Sequence, residues 1–325
     1  MTLRVGLLGP GGIGGRHAAA VALLHDRMQL VASCGRDPDR TAAFAARFGA
    51  TPYTDFIRMV EQAELDLLIV GLPPYAHNGE VEAAAQAGIH LLVEKPIALD
   101  NGRATAMLEA GRDVTSACGF MYRFGAAVTR WDELAANGQT GRAGHFSGSF
   151  HCNALHASWW RERALSGGQM VEQLIHIADL ARHTLGMPQT VYARAANLFH
   201  TDVPGYDSED VSAIILGYDD GRVGVLHASN AAVPGRWGKQ WQIVAAGMTG
   251  VFTDFNTAEL VSTTAEPRVE RVASTVDPFV AQLADLAEAI SYKRPPRVPL
   301  SDGADTLRIV LAARQSAGER REIAL

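Results

Sequence analysis

The chain has 325 residues and a formal net charge of -6, with 29 Lys and Arg against 35 Asp and Glu. Hydrophobic residues make up 47% and charged residues 20%, a globular balance without an apolar run long enough to cross a bilayer. Because binding of a polyanion needs clustered Lys and Arg, this composition excludes DNA or RNA as the expected partner. The length exceeds that of one ordinary hydrophobic core, so two domains are expected.

The cysteines and the first residues indicate a reducing compartment. Cys34, Cys118 and Cys152 form no CxxC pair and lie far apart in the sequence, which is typical of reduced thiols. Residues 1–8 lead into an apolar strand without a basic segment or a small-residue cleavage site. The sequence therefore predicts a cytoplasmic protein that has no membrane partner.

The first 120 residues alternate short apolar runs with Ala-rich stretches of helical spacing. This alternation is typical of βα units around a parallel sheet, and it predicts an α/β domain over residues 1–121. The predicted strands cover residues 4–8, 29–34, 67–70, 90–93 and 115–119. The predicted helices cover residues 17–24, 38–48, 78–87 and 102–110.

The pattern changes after residue 121 and predicts a second domain over residues 122–325. Helices are predicted over residues 128–137, 170–185, 278–292 and 302–314. Strands of alternating polarity are predicted over residues 190–199, 210–218, 222–230, 240–246, 250–254 and 268–273. Asp219-Asp220-Gly221 marks a hairpin turn in which Gly takes the positive-φ position. These features predict an α+β domain with an open, mostly antiparallel sheet, helices on one face, and a C-terminal helix able to pack back on the first domain.

Apolar residues along two of these strands predict self-association. Ile214, Leu216, Val223 and Val225 are expected on an open sheet face that a partner must cover. We therefore expect a homodimer or homotetramer formed through the C-terminal sheet.

A glycine-rich turn follows the first predicted strand and precedes the first helix. Gly9, Gly11 and Gly14 satisfy the G-x-G-x-x-G pattern, with Gly12 and Ile13 between them. These glycines permit a tight turn, a close approach of the backbone to a pyrophosphate, and close helix–strand packing. The alternative is a merely flexible turn, but the strand–turn–helix context predicts a Rossmann domain that binds a dinucleotide.

The end of the second strand bears on the choice of dinucleotide. An acidic residue there would bind the adenosine ribose of NAD, but this chain has Gly35 followed by Arg36. A guanidinium can pair with a ribose phosphate, so NADP is predicted in preference to NAD. Two alternatives stay open: Asp37 binds the ribose instead of capping a helix, or Arg36 is an ordinary surface charge.

Two further segments stand at the ends of predicted parallel strands, where ligands bind in such sheets. They are Gly71-Leu72-Pro73-Pro74-Tyr75-Ala76-His77 and Glu94-Lys95-Pro96. Together with the glycine loop, they make the chain resemble the Gfo/Idh/MocA family of oxidoreductases. The resemblance extends through residues 119–124, 160–161, 167–179, 220–221 and 277–279, and so along essentially the whole chain.

The resemblance implies a set of residues around a nicotinamide cofactor. It implies that Lys95 lies beside the nicotinamide and the substrate hydroxyl, and that the Lys95-Pro96 bond is cis. The implied cofactor contacts are Leu72, Pro73, Pro74, His77, Glu94, Lys95, Arg123, Trp160 and Arg161. For Arg123, Trp160 and Arg161 the alternative of ordinary interface packing stays open. His151, His156 and Tyr206 are candidate substrate contacts by location alone.

Glu172, His176 and Asp179 are spaced to share one face of a predicted helix. His176 matches the catalytic histidine of the family, and imidazole suits proton transfer near neutral pH. Glu172 stands where most dehydrogenases of the family have Asp, while Asp179 is expected to hold the helix in place. The alternatives are a core histidine bonded to Glu172 or a metal site, although hydride transfer from a nicotinamide needs no metal.

These features predict an NAD(P)-dependent dehydrogenase that acts on the CH–OH group of a sugar, cyclitol or related small polyol. Lys95, His176 and Glu172 are the predicted catalytic residues. One alternative is a glycoside hydrolase that retains its nicotinamide cofactor. Another is a cofactor-binding sensor that has lost catalysis.

Overall fold

The computed structural model describes residues 2–155, 157–263 and 265–325, which divide into two compact units. Unit 1 comprises the chain up to Met121 together with Asp277–Ala304, and unit 2 comprises Tyr122–Val276 together with Asp305–Leu325. The sequence placed residues 277–304 in the second domain. In the structure this segment joins unit 1, because Phe279, Leu283 and Leu286 are buried in the same hydrophobic cluster as the first strand.

A parallel sheet forms the centre of unit 1. In its described part the sheet has six strands in the order β3-β2-β1-β4-β5-β6. They are β1 Leu3–Leu8, β2 Met28–Cys34, β3 Thr51–Tyr53, β4 Leu67–Val70, β5 His90–Val93 and β6 Ser116–Cys118. All four residues of β4 are buried, as expected for a strand that helices cover on both faces. This is the Rossmann arrangement that the sequence predicted.

Five helices connect the strands of unit 1. They are α1 Gly12–Leu23, α2 Pro38–Phe48, α3 Phe56–Gln62, α4 Glu80–Gln86 and α5 Asn101–Ala110. Asp37, Asp55 and Asp100 each accept a hydrogen bond from a backbone N–H in the first turn, which fixes where α2, α3 and α5 begin.

A mixed sheet dominates unit 2. The described residues form nine strands in the order β14-β13-β12-β11-β7-β10-β9-β8-β15. They are β7 Ala143–His151, β8 Thr190–Ala196, β9 Val211–Gly217, β10 Val223–Ser229, β11 Gly238–Ala245, β12 Met248–Asp254, β13 Thr257–Ser262, β14 Val269–Ala273 and β15 Ile323–Ala324. The pair β7–β10 is parallel, and the other pairs formed by these strands are antiparallel. The prediction of a mostly antiparallel sheet is confirmed.

The helices of unit 2 lie against one face of this sheet. Among them α6 Ala126–Ala136 and α9 Ile175–Leu185 contact its strands, and a π-helical turn over Met170–Leu174 precedes α9. The short helices α7 Ser158–Arg161 and α8 Arg163–Ser166 follow β7 in the chain. Gly148 lets α9 approach β7, because a Cβ there would lie 2.5 Å from Cγ2 of Ile177. Two later helices are α10 Pro278–Tyr292, in unit 1, and α11 Leu300–Glu319.

The second face of this sheet has no helix of the described residues packed on it, and its composition differs from the prediction. Ile214 and Leu216 were expected on this face but are fully buried on the helix side. Val223 and Val225 do alternate onto the open face, where Ile215 pairs with Val225. Within the described part of the chain, no helix combines the length and apolarity needed to span a membrane.

Candidate active site

The glycine loop connects β1 to α1 and leaves an open cradle at the start of the helix. Gly9 has φ +94°, and a Cβ there would lie 2.7 Å from the carbonyl oxygen of Gly71. A Cβ on Gly14 would collide with the carbonyl oxygen of Gly9. By contrast, a Cβ on Gly11 or Gly12 would have no atom within 4 Å beyond the adjacent residues and the backbone of its own helix. The loop therefore has room for a phosphate group in front of the backbone N–H groups of α1.

The end of β2 explains why Gly35 carries no side chain. A Cβ at this position would lie 2.6 Å from Oγ1 of Thr41 and 2.7 Å from Cγ of Pro10. The next carboxylate, that of Asp37, accepts a hydrogen bond of 3.0 Å from the backbone N–H of Arg40 and caps α2. Arg36 is exposed between them.

The Glu94-Lys95-Pro96 segment follows β5, and its Lys95-Pro96 bond is cis, as the resemblance implied. Glu94 was predicted to contact the cofactor, but its carboxylate is 5% exposed and lies inside unit 1. Oε1 lies 2.7 Å from Nε2 of the fully buried His17, and Oε2 accepts a hydrogen bond of 3.1 Å from the backbone N–H of Lys95. In the structure Glu94 therefore bonds to His17 of α1 and to the backbone of Lys95, and it is not an open contact for a cofactor.

His77 ends the segment that follows β4. Its Nδ1 bonds to Glu80, while its Nε2 is buried without a hydrogen-bond partner among the described residues. Burial alone would raise the pKa of Glu80, but the hydrogen bond and charge of His77 outweigh it, and the pKa is lowered. Leu72 and Pro73 are partly buried and Pro74 is buried. Because an unpartnered buried nitrogen is costly, His77 Nε2 suits a ligand group on this segment.

A π-helical turn precedes α9, so Glu172 and His176 do not have the regular α-helical spacing that the sequence predicted. Glu172 lies in that wider turn and His176 in the first turn of α9. The indole N–H of Trp160 donates a hydrogen bond of 2.8 Å to Oε2 of Glu172. The ring of Tyr122 stacks on that of His176, with centroids 4.4 Å apart and planes at 21°. The ring of Tyr122 therefore covers one face of the His176 imidazole.

Arg123 lies in a buried ion pair, although the sequence predicted it among the cofactor contacts. Its Nε donates a hydrogen bond of 2.7 Å to Oδ2 of Asp179, and the two side chains are 3% and 1% exposed. Asp179 also accepts a hydrogen bond of 3.2 Å from Oγ1 of Thr306. The guanidinium therefore faces Asp179 rather than an open surface, and Asp179 has the holding role expected of it.

Other predicted residues lie apart from His176. His151 belongs to the sheet face opposite α9, where its Nε2 lies 3.2 Å from Nδ1 of His227. Arg161 donates a hydrogen bond of 2.9 Å to the carbonyl of Leu155. His156 lies outside the described residues.

Tyr206 is 7% exposed, and its hydroxyl accepts a hydrogen bond of 3.2 Å from Nδ2 of Asn230. Burial raises its pKa to about 12, so the hydroxyl stays protonated at neutral pH. This environment makes Tyr206 part of a buried polar network rather than an open contact surface.

Sequence reasoning missed two residues that lie near His176. Tyr122 stacks on its ring, and Lys239 lies over the ring of Tyr122. The chain has only three lysines, Lys95, Lys239 and Lys293, and this rarity was the available signal for Lys239. Among the residues that the structure describes, no group of three or more His, Cys, Asp or Glu side chains is arranged to hold a metal ion.

Two models of one protein family match most of the chain. Residues 3–119 match the model described as "Oxidoreductase family, NAD-binding Rossmann fold", and residues 128–253 match the "GFO/IDH/MocA C-terminal domain". The first matched region lies within unit 1 and the second within unit 2.

Relatives with assigned names align along nearly their full length. Myo-inositol 2-dehydrogenase of Thermotoga maritima is 25% identical over 99% of this chain and 98% of its own. Inositol 2-dehydrogenase of Rhizobium meliloti is 27% identical over 100% of both chains. D-xylose 1-dehydrogenase (NADP(+)) 2 of Haloferax volcanii is 26% identical over 96% of both chains.

The solved structure of a levoglucosan dehydrogenase in complex with NADH has the same fold, with a TM-score of 0.92 and 20% identity over 100% of this chain and 99% of that one. The family model for the N-terminal domain describes a Rossmann fold that binds NAD, which agrees with the space for a phosphate at the glycine loop. The chain belongs to the Gfo/Idh/MocA family of oxidoreductases, whose N-terminal domain binds NAD on a Rossmann fold.

Proposed function

We propose that the protein is an NAD(P)-dependent dehydrogenase that oxidises a secondary alcohol of a sugar, cyclitol or related small polyol to a carbonyl, or catalyses the reverse reduction. The observation that carries this proposal is the open cradle at Gly11 and Gly12, at the N-terminus of α1. The nearby segment that ends at His77 offers a buried nitrogen without a partner among the described residues. The relatives named for inositol and xylose support the polyol class.

Three side chains have proposed roles in this reaction. The bound nicotinamide supplies hydride acceptance and donation. Lys95 stabilises the negative charge that develops on the substrate oxygen as its proton leaves. His176 accepts that proton, and its stacking on Tyr122 keeps the imidazole in one orientation. Glu172, held by the indole N–H of Trp160, positions the start of α9 that carries His176.

The test of cofactor binding uses the open cradle itself. Gly11 has an extended backbone with φ −96°, so Gly11→Ala is expected to fold normally, while its added methyl group occupies the space of the pyrophosphate. We expect calorimetry to show loss of nicotinamide dinucleotide binding at least on the order of tenfold. Gly144→Ala is the matched control, because a Cβ there also meets no protein atom within 4 Å. Equal binding by the two variants would contradict the proposal.

The test of catalysis uses Lys95→Ala and His176→Ala with a panel of sugars and cyclitols. Both variants are expected to lose turnover by two or more orders of magnitude while they keep cofactor affinity. Net change in dinucleotide absorbance during turnover distinguishes a dehydrogenase from a hydrolase that recycles its cofactor. Retained turnover in Lys95→Ala would exclude the role given to this lysine.

We also propose a preference for NADP over NAD. Crowding by Thr41 and Pro10 leaves no room for an acidic side chain at Gly35, and Asp37 is engaged as the cap of α2. The exposed Arg36 is therefore the nearest charged group that is available to a ribose phosphate. Calorimetry is expected to show tighter binding of NADPH than of NADH, and Arg36→Ala is expected to weaken NADPH selectively. Arg112→Ala, which removes another exposed arginine of unit 1, is the control. Tighter NADH binding would contradict this preference.

The open face of the unit 2 sheet supports the proposal of a homodimer or homotetramer. Ile215 is 48% exposed, Val251 42% and Val223 38%, and they lie on three strands of one face. A second copy would remove this apolar surface from water. Light scattering is expected to give the mass of an oligomer and to give a monomer for Ile215→Lys, whereas a monomeric wild-type protein would contradict the proposal.

A further inference from the structure

Lys239 lies near the start of β11, on the sheet face that the helices cover. It alternates in register with the buried Trp241 and Ile243, and its cross-strand partner on β7 is the buried Phe150. Residues of this parity on β7 and β11 face α9, the helix of His176. Lys239 therefore places a charge on the face of β11 that carries the buried Trp241 and Ile243.

The ammonium group of Lys239 lies over two aromatic rings. Its Nζ lies 5.4 Å from the ring centroid of Tyr122 and 5.5 Å from that of Phe255. Burial lowers the pKa of Lys239, and the charge of Asp254 opposes this effect. Oδ1 of Asp254 accepts a hydrogen bond of 2.7 Å from the backbone N–H of Asn256. Lys239 is partly buried, and no hydrogen bond or ion pair of its ammonium group is found among the described residues.

The same tyrosine connects Lys239 to the candidate catalytic histidine. The ring of Tyr122 lies 4.4 Å from the imidazole of His176. The Nζ of Lys239 and the ring centroid of His176 are therefore no farther apart than these two distances combined, which is within the length of one polyol chain. Trp237, two residues before Lys239, is 51% exposed and packs edge-on against Phe150. An exposed indole on the same strand end suits the apolar face of a sugar carbon chain.

We propose that Lys239 is a specificity-determining residue that binds the carboxylate of the substrate, which makes the substrate class a polyhydroxy acid. This inference rests on the proposed function, because it takes His176 to mark the substrate site. A carboxylate matches a single ammonium group better than a phosphate does, since a phosphate usually recruits several cationic or backbone donors. The missing partner of Lys239 is then the acid group of the substrate.

The test compares the binding of acids with that of their neutral counterparts by calorimetry on the purified full-length protein with its dinucleotide. The probes are D-gluconate with D-glucitol, D-galactonate with D-galactitol, and D-glucuronate with D-glucose. We expect the wild-type protein to bind at least one acid on the order of tenfold more tightly than its partner, as one charge-assisted hydrogen bond allows. Lys239→Met, which removes the charge and keeps an unbranched side chain of similar size, is expected to abolish that difference and to leave the affinity for the neutral partner unchanged.

Two further variants make the result specific. Lys239→Arg keeps the positive charge and is expected to retain most of the preference for the acid. Arg194→Met removes a cation from an exposed position of the same sheet and is expected to retain all of it. The inference is overturned if no acid is preferred by the wild-type protein, or if Lys239→Met keeps the preference. Acid preference without any reduction of the dinucleotide would instead contradict the proposed function alone.

Discussion

The buried pair of Arg123 and Asp179 permits a quantitative test of the role that the structure gives to this arginine. In Asp179→Leu the guanidinium stays in a site that is 3% exposed and loses its carboxylate, which is expected to cost about 3 to 5 kcal/mol of unfolding free energy. Arg123→Met is expected to cost less. In that variant Asp179 keeps Thr306 Oγ1 at 3.2 Å and Nη2 of Arg182 at 3.8 Å.

The double variant completes the cycle. Replacement of both Arg123 and Asp179 by apolar residues removes both charges together, so it is expected to be more stable than Asp179→Leu by about 2 kcal/mol or more. Urea unfolding at neutral pH measures all four proteins, and calorimetry measures the dinucleotide affinity of Arg123→Met, which is expected to stay unchanged. A cost below about 1 kcal/mol for Asp179→Leu would refute the energetic reasoning. Loss of cofactor binding by a stable Arg123→Met protein would support the contact between Arg123 and the cofactor that the sequence predicted.

Three further predictions concern unit 1. Asp37→Ala removes the cap that bonds to the N–H of Arg40 and is expected to lower the free energy of unfolding by about 1 kcal/mol, measured in urea. Because His77 lowers the pKa of Glu80 in the folded protein, Glu80 contributes stability above its ordinary pKa of 4.5 that is lost as pH falls through its lower, folded value. Glu80→Gln is therefore expected to lose less urea resistance than the wild type between about pH 5 and pH 3, and parallel losses would contradict this. Lys293 ends α10 with φ 51°, so Lys293→Gly is expected to stabilise the protein by up to about 1 kcal/mol and to raise the melting temperature, whereas a lower melting temperature would show that the lysine side chain itself is needed.

The elements of unit 1 were predictable because their signals are local. The helix over Pro38–Phe48 begins at an Asp-Pro pair and ends at Gly49, and its predicted bounds agree with the structure. The strand Thr51–Tyr53 and the helix Phe56–Gln62 were missed. The strand is short and contains a proline, and the helix is short and partly exposed.

The central strand of unit 2 was also missed, for a different reason. β7 contains Gly, Ser and His at most positions, and only Phe146 and Phe150 contribute large apolar side chains. This segment is a strand because it pairs with β10 on one side and β11 on the other, and because α9 packs on it at Gly148. Sequence periodicity does not contain this information, since the pairing depends on residues far away in the chain.

The candidate site shows the same division between local and distant signals. The glycine loop and the cis Lys95-Pro96 bond followed from short motifs and from the family resemblance. The partners of the motif residues did not, because Glu94 pairs with His17, and Arg123 with Asp179, across long stretches of sequence. Lys239 belongs to no motif; the sequence marks it only as one of three lysines, and its aromatic surroundings appear only in the structure.

The position of β7 also constrains the order in which unit 2 can form during synthesis. This strand leaves the ribosome before β10 and β11, the two strands that cover its edges. The meander β8–β9–β10 can pair from local contacts, but β7 joins β10 in parallel across a long connection that is entropically costly to close. Until β11 has been made, Phe146 and Phe150 lie on a strand with at least one unpaired edge. The nascent chain is therefore most exposed to aggregation before residue 245 emerges.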